Sequence, residues 1–183
     1  METLADSNIT KRALAAALKE LMREMPFSKI SVGNICERCE MNRKSFYYHF
    51  RDKYDLVNWI YDTEFITVMQ RKTIGSVWEF LEELCRYFYE NRDFYRKALQ
   101  IRGQNSFEEH FREMLLPVEA EYLRGVFPEK ELEQFHINFY ADALLCALER
   151  WLLDEKSMPP EEFVRMLRSC IYDPGREAAE TEK

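Results

Sequence analysis

Along the first part of the chain, apolar residues recur every three to four positions. Ala13, Leu14, Ala17, Leu18, Leu21, Met22 and Met25 keep that period, which is the repeat of one helix face. The pattern predicts a helix over 9–25, with Thr10 as its N-cap and Pro26 ending it. Ser31 is placed to cap a short helix over 32–39, and Asn42 a second over 43–50. Asp52 caps a fourth helix that carries Leu56, Val57, Ile60, Phe65, Val68 and Met69 and fades near Gly75. Further helices are expected over 77–91, 93–101, 106–124, 129–154 and 160–172, with Pro117 inside or splitting the third of these. The joints are 102–106, 125–128 and 157–160. Residues 1–8 are expected to fray, and 173–183 to be a charged, disordered tail.

Composition supports this reading. Only 5 Gly and 6 Pro occur in 183 residues, and Val, Ile and Thr together number 22 against 69 Leu, Glu, Lys and Arg. That balance favours helix and argues against a β-sandwich, barrel or propeller. The expected fold is all-α, of about nine helices. With 46% hydrophobic and 14% aromatic residues, most of the chain can build a core rather than remain disordered. The cysteines (36, 39, 85, 146 and 170) are odd in number and scattered, unlike a disulfide framework. No signal-peptide pattern and no apolar run near 18 residues is present, so a reduced cytoplasmic location without membrane insertion is expected.

The net charge of -7 argues against a nucleic-acid partner only until it is divided. Residues 1–56 hold ten Lys/Arg against eight Asp/Glu, while the remainder holds sixteen against twenty-five. Within 38–53, Arg38, Arg43, Lys44, Arg51 and Lys53 face two acidic residues. A weakly basic N-terminal module on an acidic body is compatible with DNA.

The segment between the caps Ser31 and Asn42 has the dimensions of a helix-turn-helix, with its turn at Glu40-Met41. Ile35, Cys36, Cys39, Met41, Phe46 and Phe50 are the apolar positions where its helices meet. Phe46 and Phe50 share one face of the second helix, which leaves Arg43, Lys44, Ser45, Tyr47, Tyr48 and His49 on the others. Arg and Lys reach guanine edges and phosphates in a major groove, and Tyr and His pin phosphates. Lys53 is placed for a further phosphate contact.

The run from Phe27 through Ile30-Ser31-Val32, Ile35 and Phe46-Tyr47-Tyr48-His49-Phe50 to Arg51-Asp52-Lys53 resembles the N-terminal signature of TetR/AcrR-type transcriptional regulators. The resemblance covers roughly 9–56. It implies an all-α homodimer whose third helix enters the major groove, with a variable C-terminal domain for dimerisation and effector binding. It further implies that Phe46 and Phe50 are core and that Tyr47 and His49 contact phosphates. Arg43, Lys44, Ser45 and Tyr48 would face bases or nearby phosphates, Lys53 would touch the backbone, and Ser31 and Val32 would lie where the second helix approaches DNA. Two positions depart from the signature: Glu40 stands where Gly is usual, and Lys44 where a small residue is common. The stretch from Asn91 to Phe107 resembles the C-terminal domain type common among Firmicutes members, dihydroxyacetone kinase operon regulators among them. The implied division is a DNA-binding domain over 1–53 and a helical dimerisation and effector domain over 54–172.

The C-terminal half offers two candidate surfaces. Tyr87, Phe88, Phe94, Phe107, Phe111 and Tyr140, with the polar Arg102, Gln104 and Asn105, can line a small-molecule effector pocket. The competing reading is aromatic core, with the polar trio capping the next helix. Phe135, Phe139, Ala143, Cys146, Ala147, Arg150 and Trp151 approximate a stripe on the long 129–154 helix. With Phe163, Met166, Leu167 and Cys170 it would form a two-helix face that becomes a four-helix bundle in a two-fold dimer. Cys36-Glu37-Arg38-Cys39 reads as packed core, with redox sensing or zinc as alternatives. No metal, cofactor or catalytic signature is found, and the dispersed glycines make no nucleotide cradle. The expected function is a homodimeric DNA-binding repressor released by a small-molecule effector. The alternatives are an activator or co-regulator acting through a protein partner, and a helical thiol sensor or enzyme.

Overall fold

The computed structural model describes residues 4–170, without 73, 104 and 128 and without the side chains of 4–6. The expected disordered tail (173–183) lies outside the described residues. Helix α1 (Leu4–Glu24) is followed by a 3₁₀ turn (Phe27–Lys29), α2 (Val32–Arg38), α3 (Arg43–His49) and α4 (Lys53–Tyr61). A π-helical turn (Asp62–Ile66) carries α4 into the short α5 (Thr67–Met69). Then come α6 (Val77–Glu90), α7 (Arg92–Ala98), α8 (Phe107–Tyr122), α9 (Lys130–Leu153) and α10 (Pro160–Cys170). With α4, the π turn and α5 taken as one rod, there are nine helical rods among the described residues, and no strand.

The start of the first helix differs from the expectation. Helix α1 starts at Leu4, so Thr10 is interior and not a cap. Within α1, Asn8 is exposed and Ile9 is 67% exposed; residues 1–3 of the expected frayed segment lie outside the described residues. Pro117 sits inside α8 without splitting it. The π turn left no trace in the apolar period; there the Thr67 hydroxyl donates to the Asp62 carbonyl at 2.8 Å, and His110 Nε2 lies 2.8 Å from the Asp62 carboxylate.

The chain divides into two compact units: 1–73 with 91–110, and 74–90 with 111–183. The first is larger than the 1–53 segment because α4 and α7 pack with the helix-turn-helix. Leu14, Leu18, Leu21 and Met22 of α1 are buried with Ile30, Ile35, Phe46, Phe50, Leu56, Val57 and Ile60. Tyr61 is wholly buried among Phe65, Tyr95 and Phe107, with ring centroids 5.3–6.2 Å away. Helix α7 joins α1 through Lys97, whose ammonium donates to the Met22 carbonyl. These ties cross long stretches of sequence, so no local punctuation announces them.

The second unit packs α6 on α10. The Arg168 guanidinium lies 4.9 Å from the Trp78 ring centre and reaches Glu82 at 3.3 Å. Trp151 stacks on Phe163 (centroids 4.4 Å) and Tyr89 (5.8 Å), and its indole N–H donates to the Met158 carbonyl at 2.9 Å.

Candidate nucleic-acid interface

Ser31 opens α2 with a reciprocal capping box: its hydroxyl accepts from the Asn34 N–H at 3.1 Å, and the Asn34 side chain accepts from the Ser31 N–H at 3.0 Å. The helix closes in a Schellman turn. The Met41 N–H reaches the Cys36 carbonyl at 2.8 Å and the Glu40 N–H the Glu37 carbonyl at 3.2 Å. Glu40 takes φ 56°, the left-handed region that explains why glycine is usual there. Asn42 then caps α3, its side chain accepting from the Ser45 N–H at 2.8 Å.

This frame orients α3. Phe46 and Phe50 are buried, with ring centroids 5.7 Å apart. Arg43 and Lys44 are exposed, as are Tyr47 (58%) and Tyr48 (72%). Ser45 and His49 are half-buried, and the His49 ring lies edge-on to Tyr48 at 4.9 Å. Ser31 is exposed and Val32 half-buried at the start of α2. A groove of about 430 Å³ between the two helices is lined by Ser31, Gly33, Asn34, Asn42 and Arg43 among others. A Cβ on Gly33 would lie 2.6 Å from the Arg43 guanidinium, so the missing side chain leaves room for that arginine.

The basic residues of 38–53 are not equivalent. Arg38 forks onto both oxygens of Glu24 at 2.7 Å and reaches Glu20 at 3.4 Å. That pairing holds the Glu24 carboxyl below its ordinary range. Arg51 is exposed and only 4.0 Å from Asp55. Lys53 turns inward: its ammonium donates to the carbonyls of Phe27 and Ile30, both at 2.7 Å, and lies 4.3 Å from the Phe27 ring centre. Burial lowers its pKa. The Lys53 ammonium is thus engaged by two backbone carbonyls on a half-exposed side chain. Arg43 and Lys44 have no ion pair among the described residues.

Cys36 is buried and Cys39 half-buried, with the Cys39 thiol 3.2 Å from the Ile35 carbonyl. Burial pushes both thiols up, which disfavours the thiolate that metal binding or redox attack needs and supports the packing reading.

The expected pocket residues are divided between the two compact units. Phe94, Arg102, Asn105 and Phe107 belong to the first compact unit; Tyr87, Phe88, Phe111 and Tyr140 belong to the second. Gln104 lies outside the described residues. Phe88, Phe107 and Phe111 are wholly buried. Asn105 and Ser106 instead cap α8: the Asn105 N–H donates to the Glu109 carboxylate, and the Ser106 hydroxyl accepts from the Glu109 N–H. Arg102 pairs with Glu108.

The expected dimer stripe splits. Phe139 (55% exposed), Ala143, Cys146 and Arg150 of α9 and Met166 (48%) and Cys170 of α10 stand outward. Ala147 is half-buried, while Trp151, Phe163 and Leu167 are buried in the unit's own core. Those three cannot present a surface, because the α9–α10 stack uses them. Phe135 (65%) of the expected stripe also stands outward, and Leu132 (40%) and Leu153 (38%) extend it.

One residue escaped the sequence reading. Glu119 is 2% exposed, and burial pushes its pKa up to about 7. It interrupts the α8 stripe Phe107, Phe111, Leu115, Leu123, whose members are all wholly buried. The four-residue spacing was the signal: Glu119 falls at an apolar position of that repeat.

Capped tandem helices displaying two exposed cations and two exposed tyrosines define a helix-turn-helix DNA-binding regulator of all-helical fold. Residues 13–60 match the family model of bacterial regulatory proteins of the tetR family, and 76–173 match that of the transcriptional regulator C-terminal region. The chain belongs to the TetR family. It is 29% identical over 153 residues, 79% of each chain, to the HTH-type dhaKLM operon transcriptional activator DhaS of Lactococcus lactis. Among solved structures it is similar to the dihydroxyacetone kinase operon activator DhaS, with TM-score 0.65 at 23% identity, covering 89% of this chain and 96% of that one. It is also similar to a TetR transcriptional regulator from Streptococcus agalactiae, with TM-score 0.69 at 22% identity, covering 92% and 97%. No described helix is long and apolar enough to cross a membrane.

Proposed function

We propose that the chain works in the cytoplasm as a homodimer that reads a two-fold symmetric operator, with α3 of each protomer in a major groove. What carries the reading is the outward set on α3: Arg43, Lys44, Tyr47 and Tyr48 are exposed together, while Arg38 is held by glutamates and Lys53 by carbonyls. The dimer face is the apolar stripe of α9 with Met166 of α10. Repression is the first mode: a small molecule that prefers a different separation of the two reading heads releases the operator by shifting the population of dimer conformers. Selection of bound duplexes from a random pool tests this. The expected product is an inverted repeat, and Arg43→Ala and Lys44→Ala should each lower affinity for it. Full affinity in both variants refutes the assignment of α3.

A second mode is favoured by one observation, the name of the 29% identical relative as an operon activator. Here the operator-bound dimer recruits or answers to a protein partner. A promoter–reporter fusion assayed with and without the chain separates the two. Removing the regulator raises expression under repression and lowers it under activation.

A further inference from the structure

We propose that the cleft beside the corner between α1 and α2 binds a small organic anion, a planar aromatic carboxylate, at Lys97. This site stands apart from the α3 reading and from the effector surface expected of the C-terminal domain. The cleft holds about 460 Å³, within the range of small-molecule sites. All of its walls belong to the first compact unit. Pro26 and Phe27 line it from the α1–α2 corner, Tyr54 from α4, and Ile101 from the segment after α7. Phe27 and Ile101 are buried, and Tyr54 meets the Phe27 ring edge-on at 5.2 Å. These four make an apolar, partly aromatic lining that suits a flat ring.

Lys97 supplies the polar end. Its half-buried side chain donates to the Met22 carbonyl and lies 3.5 Å from the Arg23 carbonyl, both in the last turn of α1. A lysine ammonium has three donors, and carbonyls at a helix end carry only a fraction of a negative charge. One donor and much of the positive charge are therefore left for an outside anion. Lys97 has no carboxylate partner among the described residues. The other charges of the lining are paired: Glu24 with Arg38, at 2.7 Å on both oxygens, and Arg102 with Glu108. The unmatched charge in the cleft is thus positive. A cation would be repelled there and a neutral ligand would leave the ammonium unmatched, whereas a carboxylate gains a charge-assisted hydrogen bond.

The probe is 2-naphthoate, titrated into the ¹⁵N-labelled full chain without DNA and followed by amide ¹H–¹⁵N shifts. Saturable shifts are expected at residues 25, 27, 28, 54 and 97–101. The neutral isostere 2-naphthamide should bind about tenfold more weakly, the size of one hydrogen bond to a charged group. Lys97→Met should weaken naphthoate by the same factor. Gln100→Trp, which fills the cleft from an exposed position of its lining, should abolish the shifts. Lys97→Met also removes a tie between α7 and α1, so the comparison of the two probes on the unaltered chain decides the matter if that variant does not fold. The absence of saturable shifts, shifts confined to 74–90 and 111–170, equal binding of the two probes, or a folded Lys97→Met that binds naphthoate undiminished overturns the proposal. All readings are taken without operator, so a failure of the α3 assignment leaves them untouched.

Discussion

Glu119 gives the most direct check on the packing of the second unit. Its carboxyl lies in the apolar stripe of α8 with a pKa of about 7, against 4.5 for the free side chain. The folded state thus holds a proton that the unfolded chain has already lost between those two values. Stability is full below about pH 4.5, falls as pH rises through the window, and levels off above about 7. A displacement of this size integrates to about 2.5 kcal/mol between pH 5 and pH 8, an upper bound because local rearrangement relieves part of the cost. Glu119→Gln keeps the shape and removes the charge. It should stabilise the chain little at pH 5 and by about 2 kcal/mol at pH 8, or about 1 M in the urea midpoint for a chain of this size. The measurement is urea unfolding at both pH values and one fixed protomer concentration, since dimerisation contributes to stability. Titration of every other group cancels in the difference between the two proteins. A variant whose stability tracks the unaltered chain at both pH values would refute the burial argument.

Gly33→Ala should raise thermal stability by roughly 1 kcal/mol through helix propensity while weakening operator binding, because the new Cβ meets the Arg43 guanidinium at 2.6 Å and turns it away. Melting and gel shift read the two opposed effects. Glu40→Gly relieves the left-handed turn at φ 56° and should add about 1 kcal/mol, seen as a rise of roughly 2–4 °C in melting temperature. Phe139→Glu places a charge on the 55% exposed ring position of the α9 stripe and should leave monomers in light scattering at micromolar concentration; an intact dimer would exclude that face.

What the sequence announced was whatever local chemistry fixes. Ser31, Asn42 and Asp52 each accept an N–H at the start of their helix, and short polar side chains before an apolar repeat can do little else. Phe46 and Phe50 turned inward because they share a face, and that exposed Arg43, Lys44, Tyr47 and Tyr48. What the sequence left open depended on partners far away along the chain. The Lys53 ammonium meets the carbonyls of Phe27 and Ile30, more than twenty residues earlier. Trp151 and Phe163 looked like interface because each sits on an amphipathic helix; only their stacking on each other assigns them to the core. The aromatic set expected to line a pocket is divided between the two units, and spacing along helices fixes faces, not which helices meet.

The same distance dependence governs the charge. A net charge of -7 would repel DNA if it were spread over the surface, yet Arg43 and Lys44 stand on α3 without an acidic partner among the described residues. The paired cation Arg38, bound to Glu20 and Glu24, braces α2 onto α1 while staying at the surface. Braced cations add rigidity and little long-range field, whereas outward ones add field at the point of contact. With only Arg43 and Lys44 outward on α3, binding by this chain should depend on salt only shallowly, since the slope follows the number of phosphates neutralised. On the proposed reading, discrimination between sites comes mainly from short-range contacts of Arg43 and Tyr48, which need the frame of caps and Schellman turn to hold α3 still.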